Sequence, residues 1–242
     1  MSQILAPAFD MPRAVLARAA NIKLVLFDVD GVLTDGRLLL GDDGQEYKAF
    51  NSRDGHGIKM LARHGVATGI ITGRSSKVVE HRVRDLKIEH VHQGCAEKLP
   101  VYRQLLAKLG LQPEQTAFVG DDVVDLPIML NVGLAVAPRD AHPLVIQHAH
   151  WTTPSAGGRG AARELCELIL HAQGNYDRAM RNYLSPMHTT PGTDDSKDGG
   201  GRTASGTAVE EVEPRRATPG TAEVEQRREQ LPEQRPDGEA SA

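Results

Sequence analysis

The amino-acid sequence predicts an α/β fold built on a doubly wound, mainly parallel sheet with a protruding β-hairpin. From about Ala14 to Met180, short apolar runs alternate with amphipathic stretches of helical periodicity. Two further short segments flank Gly41-Asp42-Asp43-Gly44, whose residues tolerate the left-handed geometry of a hairpin turn. Strands that alternate with helices usually pair in parallel, so the sheet should be mainly parallel.

The elements of the N-terminal half follow from the spacing of their apolar residues. Residues 23–27 are mostly apolar and too few for a helix, so they predict a buried strand. Gly and Asp between residues 37–40 and 46–50 predict the hairpin, and residues 54–64 predict a helix with one apolar face. The apolar run at 66–72 predicts the second buried strand. Ser75 should cap the next helix, whose apolar positions are Val78, Val79, Val83 and Leu86.

The C-terminal half continues the same alternation of strands and helices. Its helices repeat apolar residues every three or four positions, whereas its strands are short apolar runs. In chain order, the predicted elements are a strand at 89–93, a helix at 97–109, strands at 116–119, 133–137 and 150–153, and a closing helix at 161–172.

The composition divides the chain into three parts. Residues 1–20 are predicted to be an N-terminal extension, and residues 21–180 the folded domain. Aliphatic residues almost vanish from 188–242, so this segment cannot bury enough apolar surface to offset the chain entropy of folding. It is predicted to be a disordered tail, and a functional role for that tail stays open.

Overall composition excludes several classes of partner. The chain has 242 residues and a formal net charge of -4, which predicts neither a nucleic-acid nor a membrane partner. Asp10, Arg13 and Arg18 interrupt the apolar segment that a signal peptide would need. The cysteines, Cys95 and Cys166, lie far apart and predict reduced thiols in a cytoplasmic protein.

Two carboxylates follow the first predicted strand. Asp28 and Asp30 are separated by one residue, and a turn at Gly31 would let both reach a ligand beyond the strand. A carboxylate can attack phosphorus and form an aspartyl phosphate, provided that Mg²⁺ and fixed cations offset the negative charge. An isolated Asp-x-Asp sequence is also compatible with a simple turn.

Further polar residues follow other strands of the sheet. Asp121, Asp122 and Asp125 would repel one another unless a cation lay among them, although an acidic turn at a helix start is the alternative. Thr72 lies at a strand end where backbone N–H groups can cradle phosphate, and Lys98 adds a positive charge. Together these residues predict a phosphate site with a bound Mg²⁺ ion.

The order of these residues resembles the four motifs of the haloacid dehalogenase-like phosphohydrolase superfamily, over about residues 22–173. The resemblance implies its Rossmann-like fold, with Asp28 as nucleophile and Mg²⁺ ligand and Asp30 as general acid and base whose backbone carbonyl also binds Mg²⁺. It implies that Thr72 and Lys98 hold the phosphoryl oxygens and that Asp121 is the third protein ligand of the metal. By the same resemblance, Asp122 and Asp125 would support the metal without binding it directly.

Many relatives carry a cap domain, and this chain has no room for one. The segment between Asp30 and Thr72 is used by the hairpin and a helix, and the segment between Thr72 and Lys98 by a helix and a strand. An active site without a cap would be open to water, so a neighbouring subunit is the expected cover.

Finer details resemble the family of 3-deoxy-D-manno-octulosonate 8-phosphate phosphatases, enzymes of lipopolysaccharide inner-core synthesis. The matching stretches are 28–36, 50–55, 71–74, 120–122 and 157–164. The resemblance implies a homotetramer assembled around the hairpin at 36–50, and a glycine-rich lid at 154–164 that reaches a neighbour's active site. A nine-carbon sialic-type sugar 9-phosphate phosphatase and a non-catalytic assembly domain of the same fold stay open as alternatives.

A phosphorylated sugar acid carries a carboxylate besides its phosphate, so cations and polar groups are expected around the site. For some of the basic residues, a solvated surface is the alternative, and Asp54 could instead cap a helix. The predicted substrate-binding residues are Asp30, Asn51, Ser52, Arg53, Asp54, Gly55, Lys59, Arg74, Arg82 and Lys98.

Overall fold

Eight strands are present in the computed structural model, which describes residues 11–184. In chain order they are β1 (Leu24–Phe27), β2 (Leu39–Leu40), β3 (Glu46–Tyr47), β4 (Ala67–Ile71), β5 (His90–His92), β6 (Thr116–Val119), β7 (Leu134–Ala137) and β8 (Trp151–Thr152). Six of them form a parallel sheet in the order β5-β4-β1-β6-β7-β8, and β2 pairs with β3 in an antiparallel hairpin. The predicted doubly wound α/β fold with a protruding hairpin is therefore confirmed.

Helices cover both faces of the sheet. They are α1 (Arg13–Ala20), α2 (Ser52–Arg63), α3 (Lys77–Leu86), α4 (Lys98–Leu109), α5 (Leu126–Met129), α6 (Pro143–His148), α7 (Ala161–Ala172) and α8 (Tyr176–Leu184). Val25 and Phe27 of β1 face the layer formed by α1, α2, α3, α7 and α8, whereas Leu24 and Leu26 face α4, α5 and α6. This alternation follows from the two-residue period of a strand buried on both sides.

The register of the sheet aligns the strand ends at one edge. Phe27 of β1 lies opposite Ile70 of β4 on one side and Val119 of β6 on the other. Residues that follow these three strands therefore emerge together, at the edge where parallel α/β sheets bind ligands. That edge carries the predicted reactive residues.

The structure corrects several helix boundaries. The predicted cap Ser75 is wrong, because α3 begins after Ser76, and the Ser76 side chain makes no capping hydrogen bond. Helix α2 begins two residues before the predicted residue 54, where the Asn51 side chain accepts the Arg53 N–H at 2.9 Å. An N-terminal cap satisfies a backbone donor that the helix itself leaves free.

Part of the predicted N-terminal extension packs on the domain. Helix α1 lies against α7, and its Val15 and Ala19 are buried in the core. Within residues 11–184, no helix combines the length and the apolar character needed to cross a bilayer. The predicted tail at 188–242 lies outside the described residues.

Candidate active site

The predicted reactive residues meet in one cavity at the carboxyl edge of the sheet. This cavity has a volume of about 370 Å³. The predicted residues that line it are Asp28, Asp30, Thr72, Arg74, Lys98, Asp121 and Asp122. They come from separate parts of the sequence, and the parallel pairing of β1, β4 and β6 brings them together.

The Lys98 ammonium lies between two carboxylates. Helix α4 begins at Lys98, and the Nζ atom lies 3.0 Å from Asp28 Oδ1 and donates a hydrogen bond of 2.6 Å to Asp125 Oδ1. Burial alone would lower the pKa of Lys98, but the charges of Asp28 and Asp125 outweigh it and raise that pKa. Lys98 therefore remains a cation in the cavity wall, where it can attract a phosphoryl group.

Asp125 organises the loop after β6. Its side chain is fully buried, and its Oδ2 accepts the backbone N–H groups of Asp121 at 3.0 Å and Asp122 at 3.3 Å. Both Asp125 oxygens thus have protein partners. These hydrogen bonds hold the Lys98 ammonium and the backbone of Asp121 in place.

Asp28 and Asp121 present carboxylate oxygens to a common point. One oxygen from each of Asp28, Asp121 and Asp125 lies within 4.8 Å of the others. The Asp121 Oδ1 atom is buried and accepts no hydrogen bond from the described residues. Asp28 Oδ1 is close to Lys98 but poorly aligned for a hydrogen bond, so it keeps acceptor capacity. Buried carboxylate oxygens without donors fit a hard divalent cation that prefers oxygen ligands.

Burial and mutual repulsion both raise pKa values in this cluster. Burial raises the pKa of Asp121 to about 8, with further contributions from the charges of Asp125, Asp28 and Asp122. Burial followed by the Asp28 charge raises the pKa of Asp125 to about 6. A cation bound among these groups would relieve the repulsion.

Gly31 allows Asp121 to approach the end of β1. Its φ is +86°, and a Cβ atom at this position would lie 2.0 Å from Asp121 Oδ2. A larger residue would push the Asp121 carboxylate away from Asp28. The glycine is therefore needed for both its backbone conformation and the space beside it.

Two residues of the hairpin, which the sequence did not predict for the site, contact side chains that line the cavity. The Lys48 ammonium contacts Asp30 Oδ1 and lies 3.2 Å from Glu46 Oε1. Arg74 donates to Glu46 Oε1 at 3.2 Å, and its Nε lies 3.8 Å from Asp30 Oδ2. Spacing could only show that Glu46 and Lys48 share one face of a strand, and not that this face turns towards Asp30.

Several predicted sugar-binding residues lie outside the lining of the cavity. Arg82 donates to Asp85 at 2.9 Å and to the Asn51 carbonyl at 3.3 Å, and Lys59 also pairs with Asp85, at 3.4 Å. Gly55 leaves the space that the Arg82 guanidinium occupies. The side chains of Ser52 and Arg53 are exposed at the start of α2. Among the predicted sugar contacts, the cavity gathers Asp30, Arg74 and Lys98.

Asp54 is engaged elsewhere. Its carboxylate is buried and accepts the backbone N–H groups of Gly160 at 3.2 Å and Arg163 at 2.8 Å. Burial raises the pKa of Asp54, although these two hydrogen bonds oppose the increase. Asp54 therefore caps the N-terminus of α7, and of its two predicted roles, a sugar contact and a helix cap, these hydrogen bonds fit the cap.

The glycine-rich segment is anchored on its own chain. Gly158 N–H donates to the Val32 carbonyl at 2.9 Å, and a Cβ atom at Gly157 would lie 1.8 Å from the Gly31 carbonyl oxygen. Asn51 Nδ2 also donates to the Gly158 carbonyl, at 3.2 Å. The segment predicted as a lid for a neighbouring subunit thus supports the loop after β1, because its glycines allow two backbones to touch.

Comparison with known proteins identifies the family of the chain. A family model described as haloacid dehalogenase-like hydrolase matches residues 91–165. The chain is 52% identical over 165 residues to 3-deoxy-D-manno-octulosonate 8-phosphate phosphatase of Yersinia pestis, a match that covers 68% of this chain and 88% of that protein. The chain belongs to this phosphatase family. The predicted family assignment is thereby confirmed, and the protein is a phosphoric monoester hydrolase of the haloacid dehalogenase-like type.

Solved structures agree with the sequence comparison. The crystal structure of the Yersinia pestis phosphatase matches with a TM-score of 0.67 and covers 67% of this chain and 88% of that chain. The phosphatase of Moraxella catarrhalis, solved with a magnesium ion, a phosphate ion and KDO, is 38% identical. It matches with a TM-score of 0.69 and covers 70% of this chain and 97% of that chain.

Proposed function

We propose that the protein hydrolyses 3-deoxy-D-manno-octulosonate 8-phosphate to the free sugar acid and phosphate, in lipopolysaccharide inner-core biosynthesis. The convergence of Asp28, Lys98 and Asp121 on one cavity carries this proposal. Relatives that are 52% identical to this chain carry the name of this phosphatase. The Moraxella catarrhalis relative was solved with magnesium, phosphate and the sugar acid bound.

The residues of the cavity suit hydrolysis through an aspartyl phosphate. An Asp28 oxygen attacks phosphorus, and the bond from phosphorus to the sugar oxygen breaks with its electron pair left on that oxygen. The Asp30 carboxyl group donates a proton to the departing oxygen. Asp30 then removes a proton from the attacking water, and the bond from phosphorus to Asp28 breaks. Thr72 and Lys98 hold the phosphoryl oxygens during both steps.

The acidic cluster would hold Mg²⁺ through Asp28, Asp121 and the backbone carbonyl of Asp30. Asp125 already accepts from Lys98 and two backbone N–H groups, so it would support the ion without binding it. When bound, Mg²⁺ supplies positive charge that offsets the negative charge of the phosphoryl group. Arg74 adds a cation at the same cavity, as the carboxylate of a sugar acid would require.

Assembly and compartment complete the proposal. The hairpin exposes a set of large apolar side chains, with Leu40 exposed to 63%; the set comprises Leu38, Leu39, Leu40 and Tyr47. Exposed apolar patches of this kind mark protein interfaces, which supports a homotetramer formed around the hairpins. The free thiols of Cys95 and Cys166 support a reducing cytoplasmic location.

The test is phosphate release from purified protein in the presence of Mg²⁺. Wild type should hydrolyse the eight-carbon sugar acid phosphate in preference to a nine-carbon sialic-type 9-phosphate, and Asp28→Asn should remove the activity. Glu89→Gln, at an exposed acid just before β5 and at the opposite edge of the sheet, is the matched control and should keep it. Preference for the nine-carbon substrate would support the alternative phosphatase, and no release from either would support an assembly domain.

A further inference from the structure

Lys48 is a buried cation that the proposed chemistry does not use. It directly follows β3, and its side chain is only 1% exposed. Its ammonium contacts the Asp30 carboxylate across 18 residues of sequence. The ammonium group of a lysine is normally exposed to solvent. A buried ammonium with carboxylate partners therefore indicates a specific role for the ion pair.

The geometry around Asp30 is asymmetric. Lys48 occupies Oδ1, whereas Oδ2 faces the Arg74 Nε at 3.8 Å, beyond hydrogen-bond distance. Glu46 Oε1 lies 3.2 Å from both Lys48 Nζ and Arg74 Nη2, so it fixes the two cations relative to each other. Lys48 therefore holds one Asp30 oxygen, and no described residue donates a hydrogen bond to the other.

We propose that Lys48 is a positioning residue that fixes the Asp30 carboxyl group for proton transfer, so that the hairpin forms part of the catalytic machinery. This inference depends on the proposed function. With Oδ1 held by Lys48, Oδ2 is the oxygen that passes a proton to the departing sugar oxygen and later takes one from water. A freely rotating carboxyl group would reach the correct orientation only part of the time.

The role predicts a dependence on the leaving group. A sugar alkoxide needs a proton as it leaves, whereas the nitrophenolate of p-nitrophenyl phosphate leaves readily without one. Misplacing Asp30 should therefore slow formation of the aspartyl phosphate from the sugar phosphate but not from the aryl phosphate. Hydrolysis of the aspartyl phosphate needs a base in both cases, so this second step should slow for both substrates.

The experiment compares wild type, Lys48→Met and Lys48→Arg with both substrates at saturating Mg²⁺. Methionine matches the lysine side chain as far as Cε and removes the ammonium. We expect kcat for the sugar phosphate to fall by about 10- to 100-fold with KM changed less than about threefold. With p-nitrophenyl phosphate, Lys48→Met should show a burst of nitrophenolate at the wild-type rate, followed by slow turnover. Lys48→Arg, which keeps a donor, should recover part of the rate.

A control and a second variant separate a positioning role of Lys48 from a purely structural one. Lys108→Met makes the same exchange at an exposed position about 15 Å along α4 from Lys98 and should leave both rates unchanged. If thermal unfolding shows that Lys48→Met is not folded, Glu46→Gln is measured in its place. This variant removes one carboxylate partner of Lys48 and should lower kcat less, with the same dependence on the leaving group.

The outcomes are distinct. A folded Lys48→Met protein with kcat within twofold of wild type, or with equal losses of burst rate and sugar-phosphate rate, overturns the role of Lys48 and leaves the proposed function intact. If only Glu46→Gln can be measured, unchanged rates on both substrates overturn it. Absence of turnover by wild type overturns the proposed function, and the role of Lys48 with it.

Discussion

Replacing Gly31 with alanine should disable the acidic cluster while leaving the protein folded. A Cβ atom at Gly31 would lie 2.0 Å from Asp121 Oδ2, and separations below 3.0 Å are essentially never seen for real Cβ atoms. The Asp121 carboxylate must therefore retreat by about 1 Å, and misplacement of this size can lower a rate by about 100-fold. We expect a loss of kcat of that order, together with weaker Mg²⁺ binding.

The backbone effect of the same substitution can be measured separately. Gly65 has a φ of +85°, close to the +86° of Gly31, but a Cβ atom there would meet nothing within 4 Å. Gly65→Ala therefore reproduces the left-handed strain of about 1 kcal/mol without the collision. Both variants should lower the melting temperature by about 2–4 °C in the metal-free state.

The assay measures Mg²⁺ binding by titration calorimetry and phosphate release under the same conditions. Gly31→Ala should bind Mg²⁺ more weakly and release phosphate more slowly, whereas Gly65→Ala should keep wild-type values of both. Equal Mg²⁺ affinity in Gly31→Ala and wild type would refute the argument that Gly31 makes room for Asp121. A similar loss in Gly65→Ala would instead assign the effect to backbone strain.

Three further outcomes follow from the contacts of the site. Asp54→Ala should destabilise the protein by about 1–2 kcal/mol through loss of the α7 cap, with KM unchanged; a raised KM at wild-type stability would instead show a sugar contact. Asp125→Ala should impair both stability and kcat because Lys98 loses a buried partner, and wild-type values of both in urea unfolding and turnover assays would contradict this. Because the raised pKa of Asp121, about 8, makes protons compete with the metal, Mg²⁺ affinity should increase from about pH 6 to about pH 9; a flat calorimetric profile would oppose it.

The site was predictable where a reactive residue directly follows a buried strand. Asp28 and Asp121 follow β1 and β6, and the topology of a parallel sheet brings such positions together whatever their distance in sequence. Lys98, at the start of α4, was found by its order among the motifs. The sheet and the closing helix were also predictable, because strands leave short apolar runs and the helix leaves a repeat of three or four residues.

Contacts that depend on how separate elements pack together were not predictable. Lys48 contacts Asp30 because the hairpin presents one of its faces to that residue. Asp54 accepts the Gly160 N–H because α2 packs on α7. Neither contact leaves a periodic signal in the sequence. The N-cap of α3 was predicted wrongly for a related reason. Ser75 and Ser76 have the same intrinsic preference for a cap position, so the tertiary fold decides where the helix begins.

The hairpin connects subunit assembly with the orientation of the Asp30 carboxyl group. Side chains alternate along β3 and the residue after it, so that Glu46 and Lys48 face Arg74 and Asp30, whereas Tyr47, between them, is exposed to 53%. Any subunit contact that covers Tyr47 would also restrict the strand that holds Lys48 against Asp30. Assembly through the hairpin would therefore stabilise the orientation of Asp30, which gives a physical reason for an enzyme without a cap domain to act as an oligomer.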